Sequence, residues 1–283
     1  MPIKIVTDST SYIPKHIIDE YDISIVSLNL LLNDISHREL DLTNDTFYTQ
    51  MNESNTIPTS SQPVPSELYS IFENIITNGD SVLGIFLSSD MSGTFSSSHL
   101  VRNMIIENYP NANIELMDSR TNCMQMGFIA IEAAKAAKAG LSMDEVIKTA
   151  SSVLENSKFL FTPDSLDYLQ KGGRIGTASA LLGTILQIKP ILTVQNGVTT
   201  LFAKVRTKKK TIETIINSFL KDIEGKTLGD VIVHHINAPE EGQLIATILE
   251  EKIGQPVHIQ PIGPIIGLHV GPGSIGLAYF WKE

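Results

Sequence analysis

Ile3-Lys4-Ile5-Val6, running into Asp8-Ser9-Thr10-Ser11 and then Pro14, decides how the first half of the chain reads. A short β-rich apolar run that stops at a hydroxyl-rich turn and is followed by a helix is the first unit of an alternating α/β chain. The pattern continues. Pro14 opens a helix through Tyr21, Ile23 to Leu32 reads as one strand, and Asp45 to Asn52 as a helix. Ser81 to Leu87 is a strand, and Thr94 to Tyr109 a helix with Val101, Ile105 and Ile106 on one face. Asn113 to Met117 is the next strand, followed by a long helix through Lys138 that Gly140 closes. Strands alternating with helices predict a mainly parallel sheet covered on both faces, a three-layer α/β/α arrangement.

The pattern changes near residue 160. Pro190 to Val194, the turn Gln195-Asn196-Gly197 and Val198 to Val205 predict a hairpin. A helix over Thr207 to Ile223, a strand over Val231 to Ile236, a helix over Pro239 to Ile253 and terminal strands complete a second α/β unit with a mixed sheet. The expected division is residues 1–160 and 161–283.

Composition excludes several classes. In 283 residues there are 31 acidic and 21 basic side chains, a net charge of −10, which disfavours nucleic acid or an anionic membrane as main partner. No apolar run approaches the roughly 20 residues of a membrane helix, so no stable membrane insertion is expected. The N-terminus reads as a strand and not as a signal peptide. A single cysteine, Cys123, rules out an internal disulfide and a cysteine-cluster metal site, and fits a reducing, cytoplasmic setting. No nucleophile elbow, P-loop or H-E-x-x-H occurs. His234 and His235, adjacent on a strand, point to opposite faces and cannot share a metal. No cofactor is expected.

Five stretches carry chemistry. Pro58-Thr59-Ser60-Ser61-Gln62-Pro63 and Ser88-Ser89-Asp90-Met91-Ser92-Gly93-Thr94 are hydroxyl-rich turns before helices, suited to an anion at the carboxyl end of a sheet or to ordinary N-capping. Lys171-Gly172-Gly173-Arg174-Ile175-Gly176 lets the backbone turn sharply around one arginine. Lys204 to Lys210 holds five basic residues, Arg206 among them, at a helix start where positive charge opposes the dipole. His269-Val270-Gly271-Pro272-Gly273-Ser274-Ile275-Gly276 matches G-x-G-x-x-G in letters, but only seven residues follow. The dinucleotide reading therefore fails, and the glycines are expected to shape a turn that holds His269 against a ligand.

Taken in order, Asp8-Ser9-Thr10, Ser60-Ser61-Gln62-Pro63, Ser92-Gly93-Thr94, Lys171-Gly172-Gly173-Arg174-Ile175, Ile188-Lys189-Pro190-Ile191-Leu192 and His269-Val270-Gly271-Pro272-Gly273 resemble the motifs of the DegV family along nearly the whole chain. The resemblance implies a bacterial fatty-acid-binding protein of two α/β domains. It would act as the carrier subunit that presents a bound carboxylate to a separate ATP-dependent kinase subunit, which makes the acyl phosphate for phospholipid synthesis. Carried over, Ser60, Ser61, Ser92, Gly93 and His269 would hold the carboxylate, with Ser60 standing where the family usually has threonine. Arg174 and Arg206 would support phosphoryl transfer. The ligand would be a fatty acid of about 14–18 carbons, such as palmitate, since burying about 15 methylenes yields a gross term near 12 kcal/mol before association costs. Ala178, Leu181, Leu182, Ile185, Ile265 and Ile266 are candidate acyl-chain lining. Two other readings stand beside this one. One is a free-standing phosphotransferase or hydrolase using Asp8, Arg174 and His269; the other is a lipid sensor that regulates another protein.

Overall fold

The computed structural model describes residues 1–53, 57–182 and 188–282. In the first half the strands are β1 (Ile3–Asp8), β2 (Ser24–Val26), β3 (Asn29–Leu32), β4 (Ile35–Arg38), β5 (Thr59–Ser61), β6 (Ser81–Phe86) and β7 (Ile114–Asp118). The helices among them are α1 (Lys15–Tyr21), α2 (Asn44–Glu53), α3 (Pro65–Thr77), α4 (Thr94–Asn108), α5 (Cys123–Lys138) and α6 (Met143–Glu155). The order β2-β1-β6-β7 is parallel throughout. Its strands are buried on both faces: Val6, Val82 and Phe86 pack with α3 and α4, while Ile5, Leu83 and Ile85 join the cluster that holds α5. The predicted three-layer α/β/α arrangement is what forms.

The second sheet contains β8 (Ser157–Thr162), β9 (Lys189–Gln195), β10 (Val198–Val205), β11 (Thr227–His235), β12 (His258–Pro261) and β13 (Ile275–Lys282), ordered β10-β9-β8-β13-β11-β12. All neighbours are antiparallel except β11 and β12, so the sheet is mixed, as predicted. The Asn196-Gly197 turn closes the β9–β10 hairpin, with Gln195 opposite Val198. Short α7 (Asp167–Lys171), then α8 (Lys208–Asp222), α9 (Pro239–Ile253) and α10 (Pro264–Val270) complete the fold. One face of this sheet buries Leu160, Val233 and Leu277 with residues of α8 and α9; the other sends Phe159, Phe161 and Phe280 into the cluster around α5.

Three of the expected elements take a different form. Ile23 to Leu32 is two strands, because the chain leaves the parallel sheet at Ser27-Leu28. There Leu28 N–H donates to Ser9 Oγ (3.1 Å) and Leu28 C=O accepts from Glu39 N–H (2.9 Å), so the backbone is spent on loop partners. β3 then pairs antiparallel with β4 and β5 in a small third sheet. Thr59–Ser61, expected in a turn, is strand β5, with Ser60 opposite Leu30. His269, expected in a glycine turn, lies in the last turn of α10, which Pro264 starts and Gly271 ends.

A buried carboxylate ties these parts together. Glu39, 4% exposed, accepts hydrogen bonds from Ser9 Oγ (2.5 Å), Tyr12 OH (2.9 Å) and Ile265 N–H (2.9 Å). It thereby caps the first turn of α10 from the other half of the chain. Burial, with Asp8 adding a smaller repulsion, pushes its carboxyl up to about 7. The folded state thus binds the Glu39 proton more tightly than the unfolded chain does. This group's contribution to stability is complete below the ordinary glutamate range and is lost as pH rises through about 7. Denaturant midpoints measured between about pH 5 and pH 8 are expected to fall less in Glu39→Gln than in the unmodified protein. Parallel curves for the two proteins would show that Glu39 does not titrate in this window.

Candidate functional site

The small third sheet, the β6–α4 turn, the turn after α7 and α10 meet around one cavity that opens to solvent at one end. Most of its wall is buried and apolar, including Leu28, Leu87, Phe159, Phe161, Ile236, Ile262 and Ile275. The exposed lining residues, Ser61, Gln62, Gly93 and Arg174, all lie at its polar end. That end therefore faces solvent, and the rest is enclosed.

Six of the predicted site residues converge there. Ser60, in the middle of β5, bonds His269 Nε2 through its Oγ (2.8 Å). Ser92, in the turn between β6 and α4, has its Oγ 2.9 Å from Thr94 Oγ1 and accepts from Thr94 N–H (3.3 Å). Gly93 is the N-cap of α4 and packs so closely on Gln62 that a Cβ would fall 2.3 Å from Gln62 Oε1. Arg174 reaches across from the second half of the chain: its Nε donates to the Met91 carbonyl (3.1 Å) and Nη1 to the Gly172 carbonyl (2.7 Å). The guanidinium is thus fixed above the turn that carries Ser92. Ser61 lines the same end.

His269 is electrostatically unusual. Burial, and secondarily the Arg174 charge, lower its pKa to about 4, so the ring is neutral near neutral pH. Its Nδ1 has no hydrogen-bond partner among the described residues. A proton on Nε2 leaves Nδ1 bare and needing no acceptor; Nε2–H then donates to Ser60 Oγ, and the Ser60 hydroxyl proton is free to point into the cavity. Ser92 Oγ, accepting from Thr94 N–H, can likewise present its proton. Two hydroxyl donors and neutral imidazole at the open end of an apolar cavity suit one small anionic head on a long apolar body.

Other predicted residues fall elsewhere. Arg206 stands exposed just after β10 and does not line the cavity. Of the predicted acyl-chain lining, Ile265 and Ile266 are in the wall. Ala178 and Leu181 are buried in the core around α5, and Leu182 is exposed; none of the three lines the cavity. The segment Gly176–Leu181 is a 3₁₀ helix, in which residues three apart eclipse, so Ala178 and Leu181 turn together into the core. Ile185 lies outside the described residues. Asp8 is not at the cavity either: one carboxylate oxygen accepts from Thr10 N–H (3.0 Å) and Thr10 Oγ1 (2.6 Å), the other from Leu87 N–H (2.8 Å). Asp8, Arg174 and His269 therefore do not form one catalytic group. Among the described residues no cluster of His, Cys, Asp and Glu is arranged for a metal, and no helix is long and apolar enough to cross a membrane. The reading of the residues missed Glu39 and Asn122, the second of which lines the cavity.

Two sheet-and-helix halves share one largely apolar cavity, with hydroxyls of Ser60 and Ser92 at its solvent-facing end, the form of an α/β protein with a single amphipathic pocket. The profile of the family described as "Uncharacterised protein, DegV family" matches residues 2–282, and the chain belongs to the DegV family. A DegV domain-containing protein of Clostridium acetobutylicum is 49% identical over 283 residues, covering 100% of this chain and 99% of the relative. The crystal structure of DegV from Bacillus subtilis, described as a fatty acid binding protein, superposes with a TM-score of 0.90 at 34% identity and covers 100% of both chains. A stearic-acid-binding protein from Eubacterium ventriosum superposes with a TM-score of 0.91 at 25% identity, covering 99% of this chain and 98% of the other.

Gly172 tests the geometry. A Cβ there would lie 2.3 Å from His269 Nδ1 and 3.1 Å from the Tyr168 carbonyl. Gly172→Ala is expected to displace the imidazole and lower stability by about 1–3 kcal/mol. Thermal unfolding and the ¹⁵N shifts of His269 would report both effects. An unperturbed imidazole signal would mean that the ring is not confined as described.

Proposed function

We propose that this protein binds a long-chain fatty acid of about 14–18 carbons, palmitate being representative, and presents its carboxylate to a separate kinase subunit for conversion to an acyl phosphate. The observation that carries the reading is the Ser60–His269 hydrogen bond (2.8 Å) at the solvent-facing end of an otherwise apolar cavity. The description of the Bacillus subtilis relative as a fatty acid binding protein and of the Eubacterium ventriosum relative as stearic-acid-binding supports it, and so does the ordered set of motifs shared with the family. Ser60, Ser61, Ser92, Gly93 and His269 hold the head group, and the tail lies along Ile265, Ile266 and the phenylalanines. The carboxylate accepts single hydrogen bonds from hydroxyls and is not clamped by a bidentate arginine, so an oxygen lone pair stays available to attack a phosphoryl group. Arg174, held over the open end by the Met91 and Gly172 carbonyls, is placed to meet charge that develops outside the cavity. Arg206, exposed beyond β10, takes the more distant role of attracting the incoming anionic partner.

Lipid extraction of the purified protein is expected to yield a fatty acid. Ser60→Ala and Ser92→Ala should each weaken its retention by about 1.5–3 kcal/mol, one hydrogen bond to a charged acceptor. A bound nucleotide or sugar phosphate with no lipid, or unchanged lipid affinity in the folded double variant, would overturn the reading.

Arg174→Ala separates carrying from transfer. Fatty acid affinity should stay within a few-fold of the unmodified protein, while acyl-phosphate formation with the kinase subunit should fall by roughly 10²-fold. Both are to be measured on one preparation. Collapse of lipid affinity with normal transfer from loaded protein would make Arg174 a head-group ligand.

A further inference from the structure

Asn122 occupies the N-cap of α5, where an asparagine ordinarily accepts a hydrogen bond from the first turn of its own helix. Its side chain makes no such bond. The Met124 N–H of that turn is taken by His234 Nε2, reaching over from β11 (3.2 Å). At the entry to the helix, Arg120 and Cys123 both adopt left-handed backbone, at φ 53° and 51°. The Arg120 guanidinium is anchored on Asp90 Oδ2 (2.5 Å) and on the Asn196 carbonyl of the hairpin.

Freed from capping, the Asn122 side chain lines the cavity and is 7% exposed. Its Nδ2 faces Met91 Sδ (3.2 Å), a weak acceptor. Its Oδ1 has no partner among the described residues. Exchanging the amide oxygen and nitrogen would only change which strong group is left over. A saturated hydrocarbon tail against this wall would leave the amide desolvated and unpaired, which is unfavourable.

We infer that Asn122 selects the ligand: the chain that fits this cavity best carries a hydroxyl that bonds the Asn122 amide. A hydroxyl is both donor and acceptor, so it satisfies either orientation of the amide, which a second carboxylate or an alkene does not. Asn122 touches Met91, the residue before Ser92, which places the hydroxyl towards the carboxyl end of the chain. The inference rests on the fatty acid reading and narrows its ligand to oxygenated long-chain acids.

The test uses delipidated full-length protein and competitive displacement by octadecanoic acid and its 2-, 3- and 10-hydroxy derivatives. The 2- or the 3-hydroxy acid is expected to bind about tenfold more tightly than octadecanoic acid, the scale of one hydrogen bond made to a group otherwise buried unpaired; a preference for the 10-hydroxy acid alone would overturn the placement. Asn122→Leu should abolish that preference and bind octadecanoic acid at least as tightly as the unmodified protein; Asn122→Ala serves if the leucine variant does not fold. If octadecanoic acid binds and no hydroxy acid binds more tightly, a retained water satisfies the amide and the inference fails. If the preference survives in the variants, another residue makes the contact and the inference also fails. If neither octadecanoic acid nor its derivatives bind, it is the fatty acid reading that falls.

Discussion

Helix α5 has to be buried on every side. Thirteen of its 16 residues are buried, Met126, Phe128, Ile129, Ala130 and Ala133 among them, and a helix that is apolar all round is stable only with covering on all faces. The parallel sheet covers one side through Ile5, Leu83 and Ile85, and the mixed sheet the other through Phe159, Phe161 and Phe280. Neither sheet alone buries it. The two halves of the chain are therefore joined by hydrophobic burial of one shared helix, and the cavity borders the N-terminal end of that helix at Asn122.

Buried helix ends bring an obligation of their own, because their free N–H groups must find acceptors. Each half of the chain supplies one for the other. His234 of the mixed sheet accepts from Met124 of α5 while its Nδ1–H donates to the Gln260 carbonyl (2.7 Å). Burial lowers the His234 pKa to about 4, which keeps the ring neutral and Nε2 an acceptor near neutral pH. In the opposite direction Glu39 accepts from Ile265 of α10, the helix that carries Ile266 and His269 into the cavity. The orientation of the site is thus set by polar groups that never touch the cavity.

Much of this was legible in the sequence, and the gaps have physical causes. The strand–helix alternation, the Asn-Gly hairpin and the convergence of Ser60, Ser92, Arg174 and His269 could be read because each rests on local periodicity, turn chemistry or the family's motifs. The break at Ser27 could not, since a continuous apolar run does not say which sheet each part will join; the hydrogen bonds of Leu28, donated to Ser9 Oγ and accepted from Glu39 N–H, decide it. Pro264–Val270 is too short to show a helical period, so its glycine-rich exit dominated the reading. Helix α6, by contrast, announces itself by the capping box Ser142-Met143-Asp144-Glu145, whose two reciprocal bonds the structure contains. That signal was present and went unread. Glu39 and Asn122 gave no local sign: a glutamate and an asparagine in polar loops become unusual only when distant segments bury them.

The neutral state of His269 links this packing to the proposed chemistry. A charged imidazolium beside a bound carboxylate would hold it more firmly, but it would also draw electron density from the oxygens that the proposed transfer needs as nucleophiles. Burial together with the nearby Arg174 charge disfavours that proton, so the ring acts through Ser60 as a hydrogen-bond donor without net charge. Positive charge is kept instead on Arg174, whose guanidinium is held at the open end by two backbone carbonyls. On the proposed function, this arrangement would separate two electrostatic tasks, with weak, neutral donors for the ground-state carboxylate and a full charge at the open end for a transferred group.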